Sequence, residues 1–309
     1  MTALRLSILI VNFESTADLD ACLASIDEHP PTCDFEIIVV DNASRDFDLA
    51  RAQRDHPGVT FLASTQNLTY TGGNNLAFAH SAGDLLLLLN PDTRVGPAAL
   101  DAAVTAIEDP VRRPSIVGAY LSGFDGKFQR YYRRLPGRLE LLGLVFPWPF
   151  GRLPGFRRYL MEDVEFEGIV HVPQPPGAFM LVRRPPSGED LLEPGFKNFF
   201  SDVDLAWRLD RGSRAFVYPG VRVVHRMGGA GLRPTGPVDR IRLRHDYDYG
   251  MLRYARTRWG TKGSIPVRAA IALLWLGLIV RSLAQRRIGE VRPRAAALRD
   301  LLRDRPPAY

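Results

Sequence analysis

The chain of 309 residues contains only two cysteines, too few to staple a protein of this length. Neither Cys22 nor Cys33 has a partner at the spacing of metal ligands. The low cysteine content therefore excludes a disulfide scaffold and favours reduced thiols in a cytosolic protein.

Glycine is also scarce where nucleotide sites usually need it. A dinucleotide-binding fold has a glycine-rich turn after its first strand, but the first glycine here is Gly58. A P-loop is missing too, because no glycine-rich turn ends in Gly-Lys followed by Ser or Thr. Without a glycine nest for phosphates, we expect a diphosphate to need a divalent cation, held by a hard oxygen ligand such as Asp92.

Long apolar runs are absent as well. The longest, Ala269–Val280, has twelve residues between Arg268 and Arg281. As a helix it would span roughly 18 Å, against about 30 Å of hydrocarbon, so we predict that it is too short to cross a bilayer. Two interpretations remain open: a helix at the surface of an anionic leaflet, or a buried or dimerising helix.

Positive charge is concentrated at one end of the chain. Residues 252–309 hold 13 Arg or Lys and 3 Asp or Glu, a net charge of +10, which leaves 27 and 31, a net of −4, for residues 1–251. A basic segment of this kind suits nucleic acid or an anionic membrane surface. The slightly acidic body argues against a nucleic-acid channel, so we favour a membrane surface and expect no nucleic acid, with a nucleic-acid-binding protein as a rival.

Strand and helix patterns alternate over the first hundred residues. Apolar runs at Leu6–Val11, Phe35–Val40, Val59–Leu62 and Leu85–Leu89 predict strands, and the spacing over Asp18–Ile26 predicts a helix. This order predicts an α/β fold with a mostly parallel central sheet flanked by helices. Helical spacing returns after Gly231 and predicts a helical C-terminal extension.

Polar residues follow each of the four predicted strands. Ligands of such sheets bind outside the carboxyl ends of the strands, so this clustering is the first functional signal. The residues concerned are Asn12 and Glu14, Asp41 to Ser44, Asn67, and Asn90 to Thr93.

Seven segments, taken in this order, closely resemble the family 2 nucleotide-sugar glycosyltransferases of GT-A fold, and most of all their rhamnosyltransferase-like branch. Each motif alone is modest, but the set covers about residues 5–230 and is specific. The segments are Leu6–Asn12, Glu36–Ser44, Asn67–Asn75, Leu86–Thr93, Pro176–Arg184, Phe199–Arg208 and Val223–His225.

The resemblance implies a GT-A domain over residues 1–235 and a basic helical extension over residues 236–309. The donor half of the domain would cover residues 1–120. The half with the acceptor site and the catalytic base would cover residues 121–235.

The resemblance also implies a role for individual residues. Asp41 would accept a hydrogen bond from a pyrimidine base, and Asp92 with His225 would hold Mg²⁺ or Mn²⁺ against the diphosphate. Asp202 would be the general base that deprotonates an acceptor hydroxyl during a single inverting displacement. The remaining nucleotide-sugar-binding candidates are Asn12, Glu14, Asn67, Asn75, Asn90 and Arg208.

Three departures from the family pattern bear on substrate identity. Ser201 replaces the glutamate that usually precedes the base, Leu192–Pro194 replaces the usual Phe-Asp-Glu, and Leu68 with Thr69 replaces a glycine. They keep open a non-catalytic relative that binds a sugar nucleotide or a glycan.

The predicted function is therefore inverting, metal-dependent transfer of a sugar, with rhamnose favoured and a galactofuranosyl or other hexosyl group as alternatives. The donor would be a dTDP- or UDP-sugar, and the acceptor a glycan or lipid-linked glycan of the cell surface. The enzyme would be cytoplasmic and peripheral at the inner face of the cell membrane, and a homo-oligomer is possible.

Overall fold

A computed structural model describes residues 5–186, 188–226 and 234–309. Its strands are β1 (Leu6–Asn12), β2 (Phe35–Asp41), β3 (Val59–Ala63), β4 (Leu85–Leu89), β5 (Thr93–Val95), β6 (Ile116–Ser122), β7 (Val170–His171), β8 (Phe179–Arg183) and β9 (Ala215–His225). Its helices are α1 (Thr16–Glu28), α2 (Leu49–Asp55), α3 (Thr69–Ala79), α4 (Ala99–Ile107), α5 (Arg138–Val145), α6 (Pro147–Phe150), α7 (Pro154–Tyr159), α8 (Ser201–Arg208), α9 (Pro237–Gly263), α10 (Ile265–Ala284) and α11 (Ile288–Leu302).

The predicted first half of the fold is confirmed. The four predicted strands are β1 to β4, each within one residue of its expected bounds, and the predicted helix lies inside α1. β4 is five consecutive leucines, all buried, as expected of a strand covered on both faces.

The sheet has the strand order β3-β2-β1-β4-β8-β6-β9-β5, with β7 beside β9, and it is mixed rather than mostly parallel. Four strand pairs are parallel and four are antiparallel. The antiparallel pairs all involve β5, β7 or β8, which lie outside the regular alternation of strand and helix. An antiparallel strand can join the sheet without a crossover helix. The alternation of strand and helix in the sequence therefore did not reveal the direction of β5, β7 and β8.

One edge of this sheet collects the polar strand ends. β8 is antiparallel to both β4 and β6, and β9 is parallel to β6, so β9 runs in the same direction as β1, β2 and β4. The carboxyl ends of β1, β2, β4 and β9 and the amino end of β8 therefore lie at the same edge. Asn12, Asp41, Asn90 and His225 all occupy this edge.

Two layers of buried apolar side chains cover the faces of the sheet. Alternate residues along β1 divide between them: Ile8 and Ile10 pack with α1 and α4, while Leu9 packs with α3 and α8. Successive side chains of a strand point to opposite faces, so each strand contributes to both layers.

The C-terminal helices share a third core with the main domain. Leu252 of α9 and Ile271 of α10 belong to the same buried cluster as Leu141 of α5 and Phe200 beside α8. The proposed boundary at residue 235 therefore separates two parts of the chain that pack against one another.

Helix α10 is longer than the apolar run that suggested it. It covers twenty residues, because Pro266 occupies its first turn and Arg281 continues it beyond the run. Its mean hydropathy of 1.8 and its length make it a candidate membrane span among the described residues, which corrects the prediction that it is too short. Only 28% of its most apolar window is buried.

We expect Leu252→Ala to destabilise the protein by about 2–5 kcal/mol, because it removes a fully buried side chain from the shared core. Leu273→Ala, on the exposed side of α10, should change the free energy of unfolding by less than about 0.5 kcal/mol. Urea unfolding followed by far-UV circular dichroism and by tryptophan fluorescence measures both variants. Two separate transitions, with Leu252→Ala shifting only one, would contradict a shared core.

Candidate active site

Asn12 and Asp41 meet because β1 and β2 pair in register. They are Cα partners at the ends of the two strands, and Asn12 Nδ2 donates to Asp41 Oδ1 at 2.8 Å. The Ser44 hydroxyl and backbone N–H donate to the two carboxylate oxygens of Asp41 at 2.6 and 3.0 Å. The carboxylate is thus held rigidly, with its acceptor oxygens at the sheet edge.

Glu14 lies beside this pair of residues and is partly buried. Its backbone N–H donates to the Ser44 hydroxyl at 2.9 Å, and its carboxylate accepts from Arg45 at 3.0 Å. The Arg45 hydrogen bond holds the pKa of Glu14 below its ordinary value, so the side chain stays ionised.

Asn67 shapes the loop beside Asp41. Its Oδ1 accepts from the Thr69 N–H at 2.8 Å, and Thr69 has a φ of 65°, a conformation that a β-branched residue rarely adopts. The usual glycine would adopt this conformation without strain. Two buried polar atoms here, Asn42 Oδ1 and Thr69 Oγ1, have no hydrogen-bond partner within the described ranges. Unsatisfied groups of this kind are available to a ligand.

The side chains of Asn75 and Arg208 form their hydrogen bonds away from the other candidates. Asn75 exchanges two hydrogen bonds with the backbone of Leu192, at 2.7 and 2.8 Å, and so fastens that loop to α3. Arg208 donates to Asp204 at 2.9 Å and to the Leu191 carbonyl at 2.8 Å. Arg208 also lines a cavity of about 630 Å³ at the opposite end of the sheet, a cavity that none of the other candidates reaches.

Asp92 and His225 meet through the pairing of β5 with β9. Thr93 and His225 are Cα partners, which places Asp92 Oδ1 3.5 Å from His225 Nε2. Both side chains are largely buried. Asn90, half-buried at the end of β4, is tied to the edge through its backbone N–H, which donates to the Ala178 carbonyl at 3.0 Å.

One carboxylate and one imidazole fit Mg²⁺ or Mn²⁺ as part of a ligand set. The separation of the two atoms lets a single cation contact both of them. Across residues 5–186, 188–226 and 234–309, no group of three or more His, Cys, Asp or Glu side chains could hold a metal ion. Phosphate oxygens and water could supply the remaining ligands.

Asp202 lies in the first turn of α8, beside the amino end of β8, and is partly exposed. Its Oδ1 accepts from the Val203 N–H at 2.9 Å, its Oδ2 accepts from Gln174 Nε2 at 3.1 Å, and the Gly177 N–H also bonds it. Burial raises the pKa of Asp202 above its ordinary value, and these hydrogen bonds oppose the rise. A basic, partly accessible carboxylate is suited to take a proton from a hydroxyl.

The segment before β8 links Asp202 to the metal-ligand candidates. Gly177 contacts the Asp202 side chain, and Ala178, the next residue, accepts the hydrogen bond from Asn90. The Tyr70 hydroxyl donates to the Gly177 carbonyl at 3.0 Å and so joins the Asn67 loop to the same point. Asp41, Asp92, Asp202 and His225 thus lie along the same edge of the sheet.

Three further residues support the candidate site, but no sequence signal distinguished them. Gln174 holds Asp202, Gln129 holds His225, and Asp18 binds Arg226 at 2.9 Å beside Asp92, whose carbonyl accepts from the Arg226 N–H. Both glutamines lie in loops without periodicity. Asp18 looked like an ordinary acidic residue in the first turn of a helix.

Sequence comparisons match the chain to known glycosyltransferases. The family model described as Glycosyl transferase family 2 matches residues 7–180. An N-acetylglucosaminyl-diphospho-decaprenol L-rhamnosyltransferase of Mycobacterium tuberculosis is 26% identical over 290 residues, which cover 85% of this chain and 91% of the relative.

Two solved structures share the fold. Mannosyltransferase PcManGT of Pyrobaculum calidifontis, in complex with GDP-Man and Mn²⁺, has a TM-score of 0.53 at 17% identity and covers 96% of this chain and 87% of its own. Residues 1–349 of Staphylococcus aureus TarS, in complex with UDP, have a TM-score of 0.51 at 13% identity and cover 88% and 70%. These likenesses confirm the expected GT-A fold.

We expect Asp202→Asn to stabilise the protein near neutral pH. Because burial raises the folded-state pKa of Asp202 above its unfolded value, the ionised carboxylate disfavours the folded state once the pH exceeds these values. The advantage of the variant over the wild type should shrink as the pH falls toward the unfolded value of about 3.9. Urea unfolding over a pH series measures this difference in the free energy of unfolding. A pH-independent difference, or the same trend in the exposed control Asp190→Asn, would contradict this expectation.

Proposed function

Because the chain belongs to glycosyl transferase family 2, we propose that it is an inverting glycosyltransferase that acts on a pyrimidine nucleoside diphosphate sugar. The observation that carries this proposal is the position of Asp202. A partly exposed carboxyl held by two directed hydrogen bonds lies at the same sheet edge as Asp41, Asp92 and His225. This arrangement supports a base that faces a bound donor.

Asp202 would act on the acceptor. Its carboxylate takes the proton of an acceptor hydroxyl while that oxygen attacks the anomeric carbon from the face opposite the leaving diphosphate. The bond to the acceptor forms as the bond to the diphosphate breaks, so the anomeric configuration inverts. The raised pKa of Asp202 supports this role, because a more basic carboxylate is the better proton acceptor.

Asp41 and Asn12 would hold the pyrimidine base. Asn12 and Ser44 fix the orientation of Asp41, and its Oδ2, which accepts the Ser44 N–H, keeps a second lone pair for the ligand. Asp92 and His225 would hold Mg²⁺ or Mn²⁺, and the Mn²⁺ in the PcManGT complex supports a divalent ion. Such an ion, when bound, would neutralise charge that develops on the leaving diphosphate.

The favoured donor sugar is rhamnose, carried by dTDP. The printed name of the mycobacterial relative supports this choice, and it also supports an acceptor glycan linked through a diphosphate to a lipid. A galactofuranosyl or other hexosyl donor carried by UDP is the alternative, because the departures at Leu68, Thr69 and Leu192–Pro194 lie beside the donor and acceptor sites.

The rival function is non-catalytic binding of a sugar nucleotide. Ser201, fully buried before Asp202, favours it, since the family's usual glutamate is missing there. The intact bonding of Asp202 to Gln174 and Val203 favours the enzyme.

We expect Asp202→Asn to lower kcat by roughly 10²–10⁴-fold, because the amide cannot accept the proton. The affinity for the donor should not change. The measurements are release of free nucleoside diphosphate with a lipid-linked glycan acceptor and calorimetric titration of dTDP-rhamnose and UDP-sugars with Mn²⁺. Asp190→Asn serves as the matched control at an exposed site.

Two outcomes would overturn parts of this proposal. Unchanged turnover in Asp202→Asn would remove Asp202 from its role as the base. Donor binding by the wild type without release of nucleoside diphosphate, across all donors and with acceptor present, would favour the non-catalytic relative.

We also propose that α10 places the enzyme on the cytoplasmic face of an anionic membrane. One side of the helix carries apolar side chains that are about half or more exposed: Leu273 (63%), Leu276 (49%), Val280 (63%) and Leu283 (51%). Arginines follow this stripe at positions 281, 286 and 287, and all three are exposed. Apolar insertion next to basic residues suits the interface of an anionic leaflet.

The opposite side of α10 favours a peripheral position over a membrane span. Trp275 is fully buried there, and its Nε1 donates at 2.8 Å to Asp248 of α9, which also accepts from Arg244 at 2.9 Å. A helix packed by this face against the protein can offer only its other face to lipid.

Replacing Leu273, Leu276 and Val280 together by Gln should reduce binding to phosphatidylglycerol vesicles by at least about tenfold, because apolar area is lost from the interface. The matched control replaces three exposed apolar residues elsewhere, Val111, Leu139 and Val238, by Gln and should bind as the wild type does. Vesicle sedimentation measures binding. Unchanged binding, or loss of a dimer in analytical ultracentrifugation, would show that the stripe serves another purpose.

A further inference from the structure

Gln129 forms hydrogen bonds with both the side chain and the backbone of His225. Its Nε2 donates to the His225 carbonyl oxygen at 2.8 Å, and its Oε1 lies 3.0 Å from His225 Nδ1. The backbone N–H of Gln129 donates to the Leu121 carbonyl at 2.9 Å, which ties the glutamine to the end of β6. The amide is therefore held between two neighbouring strands of the sheet.

The contact with the carbonyl fixes which way the amide faces. A backbone carbonyl oxygen can only accept a hydrogen bond, so the amide atom opposite it must be the NH₂ group. The oxygen of Gln129 then faces His225 Nδ1, and that nitrogen must carry a proton to donate. In a neutral imidazole only one nitrogen is protonated, so Nε2 is left with a free lone pair.

That lone pair points toward another acceptor. His225 Nε2 lies 3.5 Å from Asp92 Oδ1, and a carboxylate and an unprotonated imidazole nitrogen have no proton to share. Two such atoms face one another favourably when a cation contacts both. The hydrogen bonds of Gln129 thus leave His225 Nε2 available as a metal ligand.

We propose that Gln129 is a positioning residue that selects the Nδ1-protonated tautomer of His225 and presents Nε2 as a metal ligand beside Asp92. This inference rests on the metal-dependent donor binding proposed above. A group that accepts the second N–H of a ligating histidine typically changes metal affinity by about 10–100-fold when it is removed.

Gln129→Leu tests the proposal, because it removes both hydrogen bonds while keeping an apolar stem of similar bulk. The probe is Mn²⁺, titrated alone and in the presence of dTDP or UDP, with the free ion followed by electron paramagnetic resonance. We expect binding to weaken by about 10–100-fold. Gln129→Glu keeps an acceptor for Nδ1–H and should restore part of the affinity. Gln53→Leu, on the exposed side of α2, is the matched control and should bind as the wild type does.

The tautomer supplies a readout that does not depend on metal or on activity. In ¹⁵N spectra of the metal-free protein, with the His225 resonances assigned by their loss in His225→Asn, the wild type should show a protonated Nδ1. Gln129→Leu should lose this preference, and Gln129→Glu should keep it. A purely structural role would lower stability without changing the tautomer.

The outcomes separate this inference from the proposed function. If Asp92→Ala and His225→Ala weaken Mn²⁺ binding but Gln129→Leu changes neither affinity nor tautomer, only the inference about Gln129 is wrong. If Asp92→Ala and His225→Ala leave Mn²⁺ binding unchanged, the metal site of the proposed function fails and this inference fails with it. Should Gln129→Leu not fold, Gln129→Met keeps the side-chain length and carries the same test.

Discussion

The in-register pairing of strand ends at one edge of the sheet is the constraint on which the candidate site depends. The β1–β2 register brings Asn12 against Asp41, and the β5–β9 register brings Asp92 toward His225. A slip of one residue in either pair would turn these side chains to the other face of the sheet. Chemistry at this edge is therefore maintained by the same apolar layers that hold the register.

The carboxylates of Asp202, Asp204 and Asp248 accept hydrogen bonds from two different kinds of donor. Asp204 and Asp248 each accept from an arginine one helical turn later or earlier, which opposes the rise in pKa that burial causes. Within the described ranges Asp202 forms no ion pair with an arginine and relies on neutral donors from Gln174, Gly177 and Val203. Neutral donors orient a carboxylate without making it a weaker base to the extent that a guanidinium would.

The C-terminal helices are bound to the site as well as to the main domain. Asp246 of α9 accepts from the backbone and side chain of Asn198, whose Oδ1 accepts from the Tyr70 N–H. Tyr70 in turn bonds Gly177 beside Asp202. A helix of the extension therefore supports the segment at Asn198 and Tyr70, which lies beside the proposed base. On the outer side of the same extension, α10 leaves its apolar stripe exposed. One structural unit thus links the surface proposed to contact lipid with the position of the proposed base.

The sequence alone determined the first four strands, the edge at which polar groups gather and the motif positions of Asp41, Asp92, Asp202 and His225. The strands and their shared edge follow from local periodicity and from the rule that parallel strands end together, and both can be recognised in a linear pattern. The motif positions rest instead on the resemblance to the family 2 glycosyltransferases. Only the tertiary structure decided the direction of β5, β7 and β8, the full length of α10 and the use of Asn75 and Arg208 as fasteners for the loop at Leu191 and Leu192. It also supplied Gln129 and Gln174, because a lone glutamine in a loop acquires a role only from the atoms that folding places beside its amide.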